Sequence, residues 1–314
     1  MWINILMVIG GIILVLWGAD RLTDGAVGIA ERLNISQIVI GLTIVAMGTS
    51  MPEFCVSLTS AIKGTPDLAV GNVVGSNIFN TLLIVGVAAM VAPMTILKST
   101  VKKDIPFCVG ASLLLAALML LPQADNSISR IDAVLLLAGF AFFMYQTLKG
   151  AQGSHVDEPS ERKNYSVGKA IFFIILGLVC LVGGSVIFVD GAKAIASELG
   201  VSEAVIGLTI VAGGTSLPEL ATSVVAAVKG KSDIAIGNVI GSNVFNILMI
   251  LGLTGIICPM KAQGITVIDL GVLLLSAVLL WLFSFTKYKV ERWEGALLAA
   301  AYVGYTAWLI ANAI

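Results

Sequence analysis

The sequence predicts an all-α polytopic membrane protein, with about ten transmembrane helices arranged as two five-helix repeats of inverted topology. Three observations predict it. Of 314 residues, 58% are hydrophobic and only 12% charged, and the mean hydropathy is +1.02. A soluble domain of this length needs far more polar surface to cover its core. Apolar stretches of about 20 residues, each long enough to cross a bilayer, recur along the chain. Finally, GLTIVAMGTSMPE (Gly41–Glu53) returns as GLTIVAGGTSLPE (Gly207–Glu219), and GNVVGSNIFN (Gly71–Asn80) returns as GNVIGSNVFN (Gly237–Asn246), both at a constant offset of 166.

Taken in order, the spans lie near 2–20, 38–62, 68–92, 104–122, 131–148, 167–190, 204–228, 234–257, 265–285 and 293–313. The first carries no basic leader and no small-residue cleavage site, and it aligns with the segment that begins near Gly168. It reads as a retained span. Residues 1–148 form the first repeat, with its motif at 41–80, and residues 167–314 form the second, with its motif at 207–246. The polar segment 149–166 is the linker between them. Five is odd, so the second repeat enters the membrane from the opposite side, about a pseudo-two-fold axis in the membrane plane. Lys and Arg set the orientation. With the N-terminus outside, fourteen of the 18 basic residues fall on the cytoplasmic side and only Lys63, Arg130, Lys193 and Lys261 on the other. The positive-inside rule therefore places both termini on the exterior or periplasmic side of the cell membrane and the linker in the cytoplasm.

The motifs carry the chemistry. Gly48-Thr49-Ser50-Met51-Pro52-Glu53 falls near the middle of the second span. Gly and Pro there should open or kink the helix, which is tolerated at membrane depth only beside a polar cavity or within protein. An opened turn frees carbonyls near Ala46 and Met47, and Thr49, Ser50 and Glu53 add side-chain oxygens. The third span supplies Asn72, Ser76, Asn77 and Asn80, with Ser76 and Asn80 sharing a helical face. The second copy supplies Ala212, Gly213, Thr215, Ser216, Glu219, Asn238, Ser242, Asn243 and Asn246. All are hard oxygen donors, suited to Ca²⁺ or Na⁺. Two ionised Glu give a charge of −2, balanced by one divalent or about two monovalent cations. Buried carboxylates of this kind are costly and mark an ion pathway.

Other readings of single residues are structural. Gly71-x-x-x-Gly75 and Gly237-x-x-x-Gly241 can serve close helix packing. Asp24, Asp67, Asp104, Asp132, Asp190, Asp233, Asp269 and Glu294 sit near span ends and read as solvated caps. Cys55, Cys108, Cys180 and Cys258 show no paired spacing and read as small buried apolar residues. The single His155 lies in the linker. Zinc chemistry and a Ser-His hydrolase lack their parts, and no His or Lys lies near Ser50 or Ser216 to act as a base. No basic cluster suggests nucleic acid. A channel is disfavoured because an inverted repeat points to moving halves. The chain is expected to be no enzyme, with no cofactor and no obligate protein partner. Its partners are the bilayer and the transported cations.

The paired GTS[ML]PE and GNV[VI]GSN[IV]FN blocks resemble the two repeats of the sodium/calcium exchanger family, within the calcium/cation antiporter superfamily, over essentially the whole chain. The resemblance implies that Glu53 and Glu219 are the central carboxylates. It implies that Thr49, Ser50, Ser76 and Asn80 complete one half of the metal site, and Thr215, Ser216, Ser242 and Asn246 the other. The carbonyls of Ala46 and Ala212 are further candidate ligands, and the first and sixth spans are the bundle that slides to alternate access. Several superfamily members carry Asp where this chain has Asn246, an acid associated with K⁺ in potassium-dependent exchangers. Asn there argues against K⁺ cotransport. The short linker holds no calcium-sensing insert. The expected function is exchange of Na⁺ for Ca²⁺ with Ca²⁺ extrusion. The alternative is exchange of H⁺ for Ca²⁺, or transport of another divalent cation, through the same Glu pair.

Overall fold

The computed structural model describes residues 1–120, 126–151, 165–199, 212–285 and 287–313. The chain is almost entirely helical. Its helices are α1 (Trp2–Leu33), α2 (Gln37–Thr49), α3 (Met51–Ile62), α4 (Pro66–Val91), α5 (Lys98–Leu120), α6 (Arg130–Ala151), α7 (Val167–Glu198), α8 (Ala212–Thr215), α9 (Leu217–Val228), α10 (Ser232–Ile257), α11 (Val267–Phe285) and α12 (Arg292–Ala313). Among the described residues, eight helices are long and apolar enough to cross a membrane. The pair α2 and α3, bent by 46° at Ser50, makes a ninth as a broken span. In α9 the corresponding second limb recurs, while residues 200–211, the rest of the seventh expected span, lie outside the described residues, as do His155 and most of the 149–166 linker.

The first and sixth spans are longer than the hydropathy pattern predicts. Both α1 and α7 run for 32 residues rather than ending near 20 and 190. At 1.5 Å per residue each is about 48 Å long, against a hydrocarbon core of about 30 Å. They pack antiparallel along a glycine seam. A Cβ on Gly18 would stand 2.9 Å from the Gly177 carbonyl oxygen, one on Gly11 would stand 2.8 Å from the Gly184 oxygen, and one on Gly191 would stand 2.8 Å from the Asn4 oxygen. The backbones touch, so any larger residue along this seam must separate the helices. The outer faces of the pair present Ile13, Phe172, Ile175 and Val179 outward, as a lipid-facing surface requires.

Four short strands stitch the two halves of the chain together. Strand β1 (Met94–Thr95) pairs antiparallel with β4 (Lys289–Val290), and β2 (Ser127–Ile128) pairs with β3 (Met260–Lys261). Each joins a loop of one half to a loop of the other. At the centre lie α4 and α10, largely enclosed by the other helices. In α10, Gly237 and Gly241 press directly on α2, where a Cβ on Gly237 would meet the Ile38 carbonyl oxygen at 2.9 Å. The small-residue packing role holds for this copy of the motif.

Candidate ion-binding site

The site forms where both broken segments meet the two central helices. Ser50 has φ −83° and ψ 8°, and Ser216 has φ −89° and ψ 8°, so the helix axis breaks at the same motif position in both copies. Pro52 and Pro218 follow in the first turns of α3 and α9, where a missing amide costs nothing. The break turns Glu53 and Glu219, each the third residue of its new helix, into the interior, where both are fully buried.

The halves then cross over. The Ser50 hydroxyl donates to Glu219 Oε1 at 2.8 Å, and the Ser216 hydroxyl donates to Glu53 Oε1 at 2.8 Å. With its proton on Glu53, Ser216 Oγ also lies 3.2 Å from the Ser76 hydroxyl, from which it can accept. Thr49 stands beside Glu219, and Thr215 beside Glu53. Each carboxylate is thus held by the opposite half through one oxygen. The second oxygens, Glu53 Oε2 and Glu219 Oε2, accept no hydrogen bond, and neither do Asn80 Oδ1 and Asn246 Oδ1, though all four are buried. A buried oxygen left without a donor costs roughly 1–3 kcal/mol, and more when charged. Four such oxygens, two from each half, are left without a donor, the kind of deficit a bound cation offsets.

Asn80 and Asn246 do not sit on regular α-helix. They are the second residues of π turns, Phe79–Ile84 in α4 and Phe245–Ile250 in α10. Such turns insert one residue and re-aim side chains, and they concentrate at functional sites. A third π turn, Gly41–Val45, precedes Ala46. The expectation that the break frees the Ala46 carbonyl is corrected. That oxygen accepts the Ser50 amide at 3.0 Å and the Ser242 hydroxyl at 3.5 Å, and the Thr49 hydroxyl lies 3.3 Å away. The amide lost at a proline is that of residue 52, four places after Gly48 rather than Ala46. Ala46 nonetheless lies at the centre, since Ser242 reaches it from the other half. Ala212 opens α8.

Asn72 and Asn238, expected as oxygen donors to the ion, bond instead to a supporting layer whose serines the sequence analysis does not single out. Asn72 donates to the Glu53 carbonyl at 3.1 Å and to Ser57 Oγ at 2.9 Å, and Asn238 donates to the Glu219 carbonyl at 3.4 Å and to Ser223 Oγ at 3.0 Å. Asn238 Oδ1 also accepts from Thr49 at 3.1 Å. Ser57 and Ser223 are 166 apart, so the repeat offset was the signal that would have found them.

Several acids expected to be solvated caps are not. Asp24 is buried and paired with Lys229 Nζ at 2.9 Å. Asp269 and Glu294 do cap helices, accepting the Thr266 amide at 2.8 Å and the Glu291 amide at 2.7 Å, but both are buried. Tyr305 of α12 covers Asp269, donating to its Oδ1 at 2.6 Å. Asp67 is exposed as expected, Asp132 is half-buried, and Cys55, expected to be buried, is exposed.

Comparison with known proteins bears on this geometry. The family described as sodium/calcium exchanger protein matches residues 3–149 and 169–311, nearly the whole chain. The chain belongs to the sodium/calcium exchanger family. CaxA of Alkalimonas amylolytica is 40% identical over 97% of this chain and 98% of its own length. The sodium/calcium exchanger MaX1 of Methanosarcina acetivorans is 34% identical over 96% of this chain and 97% of its own. A solved structure of the sodium-calcium exchanger NCX_Mj, soaked with zero Na⁺ and Ca²⁺, superposes with a TM-score of 0.85 at 34% identity and covers 98% of this chain and 99% of that one. This member of the family is an all-α integral membrane protein, an antiporter of the sodium/calcium exchanger type.

Proposed function

We propose that the chain exchanges Na⁺ for Ca²⁺ by alternating access and extrudes Ca²⁺. The ligands are Glu53, Glu219, Thr49, Ser50, Ser76, Asn80, Thr215, Ser216, Ser242 and Asn246, with the carbonyls of Ala46 and Ala212. The observation that carries the reading is the pair of buried carboxylates, each bound through one oxygen by the other half and open through its second. A cation on those open oxygens offsets the charge, so the loaded carrier moves and the empty carrier, at −2, does not. That difference couples the two fluxes. More than two Na⁺ per Ca²⁺ would carry net charge, worth about 2.3 kcal/mol per charge per 100 mV.

In this reading 1–148 and 167–314 are inverted halves joined by a cytoplasmic linker at 149–166, with both termini outside. Asn at position 246 leaves the site without a third carboxylate, so transport needs no K⁺. Exchange of H⁺ for Ca²⁺ through the same Glu pair is the second reading. It is favoured by the fact that, among the described residues, the site's only ionisable groups are two carboxyls, which protons also neutralise.

Uptake of radiolabelled Ca²⁺ into proteoliposomes decides between them. An outward Na⁺ gradient at constant pH, with no K⁺ on either side, is expected to drive uptake. Uptake that follows a pH gradient and ignores Na⁺ replaces the first reading with the second.

A further inference from the structure

We propose that Asn77 and Asn243, which do not face the ion, are positioning residues that fix which end of Asn246 and Asn80 faces it. The inference rests on the reading that Asn80 and Asn246 are ligands, and adds what makes them so. An asparagine amide has an oxygen end that attracts a cation and an NH₂ end that repels it. Rotating the side chain by half a turn converts a ligand into a barrier, with almost no change of shape.

Here the hydrogen bonds decide the rotation. Asn77 Nδ2 donates to the backbone carbonyl of Asn243 at 3.1 Å. A carbonyl only accepts, so the nitrogen of Asn77 must lie on that side and its oxygen on the other. That oxygen accepts Asn246 Nδ2 at 3.0 Å. With its nitrogen engaged outward, Asn246 presents Oδ1 inward, and this is one of the buried oxygens that accept no hydrogen bond. The other half repeats the scheme. Asn243 Nδ2 donates to Thr81 Oγ1 at 2.7 Å, its Oδ1 accepts Asn80 Nδ2 at 3.1 Å, and Asn80 Oδ1 is left open. Each ligand amide is aimed by an asparagine of the opposite half. The two schemes are anchored differently, because Thr81 has Ile247 as its repeat counterpart. A backbone carbonyl cannot reverse its polarity, whereas a hydroxyl can, so the Asn77–Asn246 pair is the more firmly set of the two.

The test is a double-mutant cycle on Ca²⁺ affinity, measured by titration of the purified full-length protein. Asn77→Leu removes the acceptor and lets the Asn246 amide turn its nitrogen to the ion. It is expected to weaken Ca²⁺ binding at least tenfold. Asn246→Asp has oxygen at both ends, so orientation no longer matters. Adding Asn77→Leu to Asn246→Asp should cost less than about threefold. Equal losses in the two backgrounds would mean that Asn77 only packs, and would overturn the proposal, as would no loss in either. Asn246→Leu separates the premise from the inference. If that change leaves affinity intact, Asn246 is no ligand and the ligand assignment falls first. Where Asn77→Leu does not fold, Asn77→Ser or the mirrored cycle of Asn243→Leu with Asn80→Asp makes the same comparison.

Discussion

The two halves of the chain agree around the buried carboxylate pair and disagree where they meet each other's flanks. At the centre the match extends to distance, because Ser50 holds Glu219 and Ser216 holds Glu53 at the same 2.8 Å. At the flank, Lys229 at the end of α9 binds Asp24 at 2.9 Å and also pairs with Asp20 on α1, and Arg21 pairs with Asp20 at 2.8 Å. The counterparts one repeat away are Asp190 on α7 and Lys63 at the end of α3, since 190 − 24 and 229 − 63 both equal 166. Both are exposed, and among the described residues no ion pair joins either one. Asp20 and Arg21 have only Val186 and Ile187 as counterparts. A site served from both faces of the membrane needs the same ligands in each state. A contact that distinguishes the states must be made on one side at a time.

The largest expected effects test the symmetric region. Glu53→Gln and Glu219→Gln each keep the shape but remove a charged ligand and turn an amide nitrogen toward the ion. Each should lose at least about 1.5–3 kcal/mol, or roughly tenfold or more in Ca²⁺ affinity, and the two losses should be similar. Because both act on one ion, the double variant should lose less than the sum. Calcium titration of the purified variants checks this, with exposed Asp67→Asn as the control. Near-native affinity in one Glu variant alone would break the symmetry claimed for the site. The next effects are smaller. Ser50→Ala and Ser216→Ala each remove a hydroxyl that holds the opposite carboxylate, worth about 1 kcal/mol or about fivefold, and again nearly equal between halves. A loss confined to one of the two serines would show that only one carboxylate is held in the ion-bound form.

Residue pattern revealed the central region almost completely and the flank hardly at all. The repeat brings Glu53, Glu219, the serines and the asparagines to attention because a carboxylate beside a proline in an apolar span has few structural uses. It does not show that Asn80 and Asn246 sit in π turns, since a π turn differs from an α turn by a single hydrogen-bond register. Hydropathy ends α1 and α7 short of their true ends, and in α1 the reason is physical. In α1 a hydropathy count stops at Asp20-Arg21 as though water began there, yet the helix continues to Leu33. Those charges are only partly exposed and are paired with one another and with Lys229, and Arg21 also lies over the Trp17 and Phe173 rings at 5.7 and 5.5 Å. Partners supplied by residues some 200 positions away leave no periodic trace in the local sequence.

The smallest expected effect is also the one that decides what the asymmetric flank does. If the halves exchange conformations during transport, the state opposite to this one should release Lys229 from α1 and bring Lys63 to Asp190. Lys229→Met then removes a contact made only in the present state, and Lys63→Met removes one made only in the other. The two changes should move the balance of states in opposite directions. The partly exposed Lys229–Asp20 pair is worth about 1 kcal/mol, or about a fivefold change in the ratio of states, and the loss of the Asp24 pair acts in the same direction. Spin labels at the outward-facing positions Ile13 on α1 and Leu275 on α11, in a cysteine-free background, would report that ratio as two populations of inter-label distance. The population matching this structure should shrink in Lys229→Met and grow in Lys63→Met. Shifts of the same sign would mean that these lysines merely stabilise the fold. No shift in Lys63→Met, beside a clear one in Lys229→Met, would mean that the extra pair Asp20-Arg21 makes the first half's latch unique and leaves the other state without one.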